Sequence, residues 1–145
     1  GEERWADRIA NAIIKIRKKE PIVTTGQLRG IVLNAIPYKG RTGRIDPATR
    51  TFQAFRIAVN RELEALEEAV GEAVSILKER GRICVISYHS LEDRIVKNQF
   101  KRFYQEGILT ILTKKPVRAG DDEITRNPRA RSAKLRAAEK KGLIN

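Results

Sequence analysis

A long stretch of helical periodicity that leads directly into a short apolar strand constrains the fold of this sequence more than any other feature. Over residues 48–78 apolar side chains recur every three or four positions, which predicts about eight helical turns, broken near Asn60 or Gly71. Gly81 is then the natural left-handed cap, and the run RICVIS at 82–87 has the composition of a buried strand. A helix, a glycine turn and a continuous apolar strand are typical of a parallel sheet covered on both faces. We therefore predict an α/β fold.

Two more helices are expected before this segment. Residues 3–18 are amphipathic and end at Pro21, and Thr24 is a natural N-cap for a second helix that ends before Pro37. Residues 38–46 carry two glycines and three basic residues, which predicts a cationic loop.

The segment after the strand predicts a helix, a second strand and a basic tail. Ser90 or Asp93 is placed to cap the helix, and residues 108–113 have the composition of a strand. Residues 129–141 fit either a helix or a basic edge strand, and helix propensity favours the first.

The positive charge is concentrated in two parts of the chain. The sequence has 145 residues and a net charge of +12. Residues 1–60 hold twelve Lys/Arg against five Asp/Glu (+7), residues 61–80 three against six (−3), and residues 81–145 fifteen against seven (+8). Because lysine and arginine contacts to phosphates supply most non-specific affinity for nucleic acids, two basic lobes favour a polyanionic partner.

Several classes of protein are not expected. No apolar run reaches the length of a membrane span, the N-terminus has no secretory pattern, and the one cysteine, Cys84, is predicted to be a small buried thiol. These features favour a cytoplasmic protein. The absence of methionine suggests a fragment of a longer chain. No zinc-binding cluster, phosphate-binding P-loop or strand-linked GxGxxG occurs, so we expect neither a metal site nor a nucleotide hydrolase.

The first candidate site is the SYHSLEDR segment at 87–94, which follows the predicted strand. Ligands in α/β sheets bind at the carboxyl ends of strands, so His89 and its polar neighbours are functional candidates. The alternative is a purely structural turn, in which these side chains cap the next helix. A serine hydrolase is less well supported, because no GxSxG elbow surrounds Ser87 or Ser90.

The second candidate site is the start of the long helix, where Asp46 is a plausible cap. Polar side chains there suit phosphate oxygens or a nucleobase edge. They are Thr49, Arg50, Gln53 and Arg56. Phe52 and Phe55 are more consistent with core positions. A third candidate is the basic C-terminal stretch, interpreted as an RNA-backbone contact or as a solubilising segment. Its candidate residues are Arg126, Arg129, Arg131 and Lys134.

Five segments resemble, in the same order along the chain, the MraW family of bacterial rRNA methyltransferases. They are GEERWADRIANAII, the TTGQL turn, DPATRTFQAFRIAVNRELEALE, GRICVISYHSLEDRIVKNQF and NPRARSAKLRAAEK. The resemblance covers nearly the whole chain, and the strings at 47–60 and 89–97 are long and specific. Two positions depart from the family pattern. Asp46 stands where many members have His, which leaves the role of this side chain open. Tyr88 stands where many members have Phe, which keeps an aromatic ring at that position.

The resemblance implies a fold. Residues 1–55 would be most of a helical insert that recognises substrate. Residues 56–145 would be the C-terminal part of a class I, Rossmann-like methyltransferase domain. The strand at 82–87 would be its fifth, and 108–113 and 131–138 its last two, against the helix that propensity favours.

It also implies an activity, the S-adenosylmethionine-dependent N4-methylation of a cytidine in 16S rRNA of the small ribosomal subunit, near the decoding centre. Catalytic candidates are then His89, Ser90 and Glu92, with Tyr88 and Arg94 as RNA contacts. The Gly-rich loop that holds the cofactor is expected upstream of this chain. The chain alone would then be inactive and, with an unpaired strand edge, would dimerise, swap elements or adopt a rearranged packing. The alternative is an rRNA- or ribosome-binding module without chemistry.

Overall fold

The computed structural model describes residues 2–37 and 46–142. The chain divides into two compact units, residues 1–60 and 61–145, so the division lies five residues beyond the boundary implied by the family resemblance. The first unit contains helices α1 (Ala6–Arg17), α2 (Thr25–Ala35) and α3 (Thr49–Asn60). The second contains helices α4 (Glu62–Ile76), α5 (Ser90–Gln105) and α6 (Asp121–Arg126), and strands β1 (Arg82–Ser87), β2 (Leu109–Ile111) and β3 (Lys134–Lys140). A short 3₁₀ helix, Pro128–Ser132, precedes β3. The predicted cationic loop lies outside the described residues, except for Asp46.

The first unit follows its sequence signals closely. The Thr24 hydroxyl accepts the Gln27 N–H at 3.1 Å, and the Gln27 side chain accepts the Thr24 N–H at 3.0 Å, which fixes the start of α2. The apolar faces of the helices then pack together. The buried core comprises Ile9, Val32, Ala35, Ile36 and Ala48, with Trp5, Ala12, Ile13, Leu28 and Phe52 against it. Phe52 therefore contacts the core as predicted, whereas Phe55 is exposed and that prediction is wrong.

The long predicted helix is two helices. Arg61 takes a left-handed conformation with φ of 52°, which ends α3 and confirms the predicted break near Asn60, while Gly71 lies inside α4. At the other end, α4 stops at Ile76, before Gly81. Between α4 and β1 the residue with a left-handed backbone is Arg80, with φ of 59°. The prediction that Gly81 is the left-handed cap is therefore wrong. Gly81 is required for another reason, since a Cβ on it would lie 2.7 Å from the Lys78 carbonyl oxygen.

The three strands form one sheet in the order β1-β3-β2, and both pairings are antiparallel. The parallel pairing expected for residues 82–87 therefore does not occur within the described part of the chain, where β1 lies at a sheet edge. The helix favoured by propensity at 129–141 is also wrong, and the strand that the family resemblance implied at 131–138 is present as β3. The residues of β3 are good helix formers, but β3 lies between two strands and hydrogen-bonds to both, and this tertiary pairing outweighs propensity.

One face of this sheet packs on α4 and α5. The buried residues of this core are Val70, Val74, Val96, Phe100, Phe103, Leu109 and Ala138. Alternation along β1 sends Cys84 to the other face, where it is exposed, so the predicted buried thiol is wrong. Among the helices described, none is both long and apolar enough to cross a membrane.

Candidate functional site

The turn between β1 and α5 is held by a reciprocal capping box. The Glu92 carboxylate accepts the backbone N–H groups of Tyr88 at 2.8 Å and His89 at 3.2 Å. In return, the Glu92 N–H donates to Nδ1 of His89 at 3.3 Å. The capping predicted for this turn is therefore present, although His89 provides it rather than Ser90 or Asp93. Two of the catalytic candidates, His89 and Glu92, are brought together in one turn.

This geometry assigns the proton on the His89 imidazole. Because Nδ1 accepts a hydrogen bond, the neutral ring carries its hydrogen on Nε2. Nε2 is buried and lies 3.2 Å from the Glu92 carboxylate, but without the alignment of a hydrogen bond. The hydroxyl of Ser87, a residue only 2% exposed, also has no hydrogen-bond partner. Unsatisfied buried polar groups are costly, and where they occur they point to a water molecule or a ligand group.

A mostly buried charge cluster lies beside this turn. Arg136 of β3 donates to both carboxylate oxygens of Asp93, at 2.7 and 3.3 Å, and the Lys134 ammonium lies 3.5 Å from the same carboxylate. Burial alone would raise the pKa of Asp93, but the hydrogen bond and charge of Arg136, with Lys134, outweigh it and lower that pKa. The cluster joins α5 to β3 and carries two positive charges against one negative charge.

The remaining candidates in the second unit are on the surface. Tyr88 is 57% exposed, and Ser90 and Arg94 are exposed on the first turns of α5. The exposed C-terminal arginines are carried by α6 and the 3₁₀ helix. They are Arg126, Arg129 and Arg131. Lys134 differs from them, because its side chain is only 18% exposed and is paired with Asp93.

In the first unit, polar side chains surround a cavity of about 580 Å³ at the start of α3. Its described lining residues are Arg29, Asp46, Thr49, Phe52, Gln53 and Arg56. Three of the four predicted RNA contacts of this segment therefore meet in one place. The fourth, Arg50, is exposed on the helix and does not line the cavity.

Asp46 organises the wall of this cavity. Its carboxylate accepts the Ala48 N–H at 2.8 Å and the Arg29 Nε–H at 2.7 Å, and its carbonyl accepts the Thr49 N–H. The backbone hydrogen bond from Ala48, followed by that from Arg29, lowers the pKa of Asp46. Asp46 therefore holds the turn that leads into α3, which begins three residues later at Thr49, so Asp46 is not the residue directly before the helix.

Sequence reasoning missed Arg136 and Arg29. Arg136 could have been identified as an inward-facing residue once residues 134–140 were assigned to a strand. Side chains alternate along a strand, which places Arg136 on the same face of the sheet as the buried Ala138. Arg29 lies 17 positions before Asp46 on another helix, and no local pattern links the two. Among the described residues, no group of three or more His, Cys, Asp or Glu is arranged to hold a metal ion.

Comparison with known proteins shows the family to which this chain belongs. A profile of the MraW methylase family matches residues 1–141. A protein named ribosomal RNA small subunit methyltransferase H from Halothermothrix orenii is 50% identical over 97% of this chain and 50% of its own length. Proteins of the same name from Geobacter sulfurreducens and Acidobacterium capsulatum are each 54% identical over 97% of this chain, and over 50% and 46% of their own lengths. The chain therefore spans about half the length of these relatives. It belongs to the MraW methylase family.

Proposed function

We propose that this chain is the C-terminal part of an S-adenosylmethionine-dependent enzyme that methylates N4 of a cytidine in 16S rRNA of the small ribosomal subunit, near the decoding centre. The observation that carries the proposal is at least 50% identity over nearly the whole chain to proteins named ribosomal RNA small subunit methyltransferases. On this proposal residues 1–55 are most of the helical insert that recognises substrate. Residues 56–145 complete a class I, Rossmann-like methyltransferase domain.

The cofactor supplies an electrophilic methyl group, and its site lies in the part of the protein outside this chain. No strand-linked GxGxxG loop is present in the sequence to hold it. The isolated chain is therefore inactive in this proposal. Its own residues bind and orient the RNA.

The chemistry assigns a task to the turn after β1. The exocyclic amine of cytosine is a poor nucleophile because its lone pair is delocalised into the ring, so catalysis depends on orienting the amine toward the methyl group, and the proton that the amine loses as the N–C bond forms passes to water or to a base outside this chain. The base has to be extruded from the RNA and held by stacking and edge hydrogen bonds. The exposed ring of Tyr88 provides a stacking surface. The Nε2–H of His89, which is buried beside Glu92 in this structure, becomes a donor for a base oxygen only when RNA binding uncovers it, and Glu92 positions both residues through their backbone N–H groups.

Two roles follow for the catalytic candidates. His89 acts as a donor to the substrate, because its Nδ1 is already accepting the Glu92 N–H. Glu92 is a positioning residue in the resting turn, and Ser90, exposed on the first turn of α5, is placed to contact the ribose. Arg94 and the exposed Arg126, Arg129 and Arg131 contact phosphates.

The experiment uses the intact enzyme of Geobacter sulfurreducens with S-adenosylmethionine and small-subunit rRNA. Mass spectrometry of the digested RNA should find N4-methylcytidine. Alanine at the position aligned with His89, the donor, should reduce the rate of methyl transfer roughly a hundredfold. Alanine at the position aligned with Glu92, the positioning residue, should reduce it less. A methyl group on any other atom, or unchanged turnover in both variants, contradicts the proposal.

A second candidate function is a non-catalytic rRNA-binding module. The observation that favours it is that the His89–Glu92 pair is engaged in helix capping, as in an ordinary structural turn. It predicts that both variants keep full turnover and differ only in stability.

A further inference from the structure

The turn that carries Tyr88 and His89 has to be fixed both on the helix that follows it and on the sheet. β1 ends at Ser87 and α5 begins at Ser90, so these two residues are the whole connection between strand and helix. The Glu92 carboxylate holds their backbone N–H groups, but Glu92 belongs to α5 and moves with it. The capping box therefore fixes the turn on the helix, and another contact has to fix the start of the helix on the sheet.

Apolar packing holds α5 on the sheet only from its second turn onward. The side chains of α5 that belong to the buried core of this unit are Val96, Phe100 and Phe103. Among the described residues, none of residues 90–95 belongs to that core. The core therefore does not place the first turn of α5, which is the turn next to His89.

The ion pair between Asp93 and Arg136 makes the missing contact. Arg136 donates from Nε and Nη2 to the two Asp93 carboxylate oxygens, at 2.7 and 3.3 Å, and its side chain is only 9% exposed. A bidentate pair of this kind fixes orientation as well as distance. The contact from Lys134 to the same carboxylate is longer, at 3.5 Å. Since β3 is the central strand and Arg136 lies opposite Val85 of β1, the pair ties the start of α5 to the middle of the sheet.

The ion pair leads directly to the catalytic candidates. Asp93 follows Glu92 in the sequence, and Glu92 holds the N–H groups of Tyr88 at 2.8 Å and His89 at 3.2 Å. A shift of Asp93 would therefore carry Glu92 with it and move both residues of the turn. An error of about 1 Å in the position of reacting groups can reduce a rate about a hundredfold.

We propose that Arg136 is a positioning residue for methyl transfer, which holds the first turn of α5 on the sheet through Asp93 and thereby places Tyr88 and His89 for the RNA. This role rests on the proposed function in taking methyl transfer as the reaction. It goes further in assigning a task to a residue of β3 that acts through the turn rather than on the RNA.

Two other roles of Arg136 would also reduce activity, so a lower rate is not sufficient evidence. Removing one partner of a buried ion pair leaves an uncompensated charge, and a merely structural residue would act by lowering the fraction of folded protein. A direct contact to an RNA phosphate would instead weaken binding and raise KM. Positioning predicts a lower kcat, an unchanged KM and a loss that depends on His89.

The test uses the intact enzyme of Geobacter sulfurreducens, with substitutions at the positions aligned with Arg136 and His89. Arg136→Met should lower kcat for methyl transfer roughly fiftyfold, with KM for small-subunit rRNA unchanged. Arg136→Lys keeps the charge but loses the planar fork, and should lower kcat roughly fivefold. When His89→Ala is already present, Arg136→Met should lower kcat by less than about twofold more, because both changes disable the same turn.

Arg82→Met, at the aligned position, is the matched control. It removes an arginine from another 2.7 Å ion pair, with Glu139, which the register places on the opposite face of the same sheet. It should leave both kcat and KM unchanged. Circular dichroism checks that each variant is folded, and Arg136→Lys carries the test if Arg136→Met does not fold.

Three results would overturn the positioning role. An unchanged kcat in both Arg136 variants would mean that Arg136 has no part in the reaction. A raised KM with an unchanged kcat would mean a direct RNA contact, and an equal loss with and without His89 would mean a general loss of folded protein. Any of these results leaves the proposed function standing while His89→Ala remains impaired. If the native enzyme makes no N4-methylcytidine, or His89→Ala keeps full turnover, the proposed function fails and the positioning role fails with it.

Discussion

Lys140 stabilises the second unit through its side chain alone. Its ammonium donates to the carbonyl oxygens of Val74, Ser75 and Leu77 at 3.2, 3.1 and 2.8 Å, at the end of α4 where helix carbonyls lack partners. Its backbone groups pair separately with Arg80 and Gly81, so Lys140→Met should leave β3 in register.

The expected loss in the free energy of unfolding of the Lys140→Met variant follows from these contacts. A hydrogen bond to a charged group contributes about 1.5–3 kcal/mol, and a cation at a helix C-terminus about 0.3–1 kcal/mol. Water can hydrogen-bond to the exposed Ser75 carbonyl in place of the ammonium, so this contact adds little to the loss. We therefore expect Lys140→Met to lower the free energy of unfolding by about 2 kcal/mol. For a unit of this size that corresponds to a decrease in Tm of roughly 10 °C.

Urea unfolding followed by circular dichroism measures this cost, with hydrogen exchange locating the change in α4 and β3. Trp5, the only tryptophan, lies in the first unit, so its fluorescence follows the unfolding of that unit separately. Lys97→Met removes an exposed lysine from α5 and should have little effect. A Lys140→Met variant that is no less stable than Lys97→Met would refute the capping role.

Three more predictions concern the second unit. The pKa of Asp93 is lower in the folded chain than its usual value of 3.8, so its contribution to stability is present above that value and is lost as the pH falls through the folded value. The free energy of unfolding of Asp93→Asn should therefore vary less with pH than the native value below about pH 5, and parallel curves for the two proteins would contradict this. Cys84 is exposed, so a maleimide should label it completely without denaturant, and labelling only in urea would show that it is buried. The outer edge of β1 has no strand partner within the described residues, and the exposed Ile86 lies on that strand, so light scattering should detect association at high concentration; a monodisperse monomer would contradict this.

The local features of the fold could be predicted from the sequence. The N-cap at Thr24 and the break near Asn60 are both present, and the turn before α5 is capped as expected, although by His89 rather than by Ser90 or Asp93. The failures have long-range causes. The helix preference at 129–141 was outweighed by two neighbouring strands, and Gly81 is required by its contact with Lys78 rather than by a positive φ.

The candidate sites show the same division. Thr49, Gln53 and Arg56 were among the candidates named from the sequence, and their spacing of four and three residues places them on one helical face, whereas Arg50, named with them, lies outside the cavity lining. Arg29 and Arg136 escaped notice because their carboxylate partners lie 17 and 43 positions away. Lys134 was predicted as an RNA contact from the local charge density, and its pairing with Asp93 becomes visible only once the strand register is known.

The central claim is that this chain handles RNA while the methyl donor is held elsewhere in the protein. Calorimetric titration of the chain with S-adenosylmethionine tests it most directly, with the intact relative from Geobacter sulfurreducens as the positive control. We expect saturable one-to-one binding by the intact relative and no saturable heat with this chain. Clear stoichiometric binding by this chain alone would contradict it.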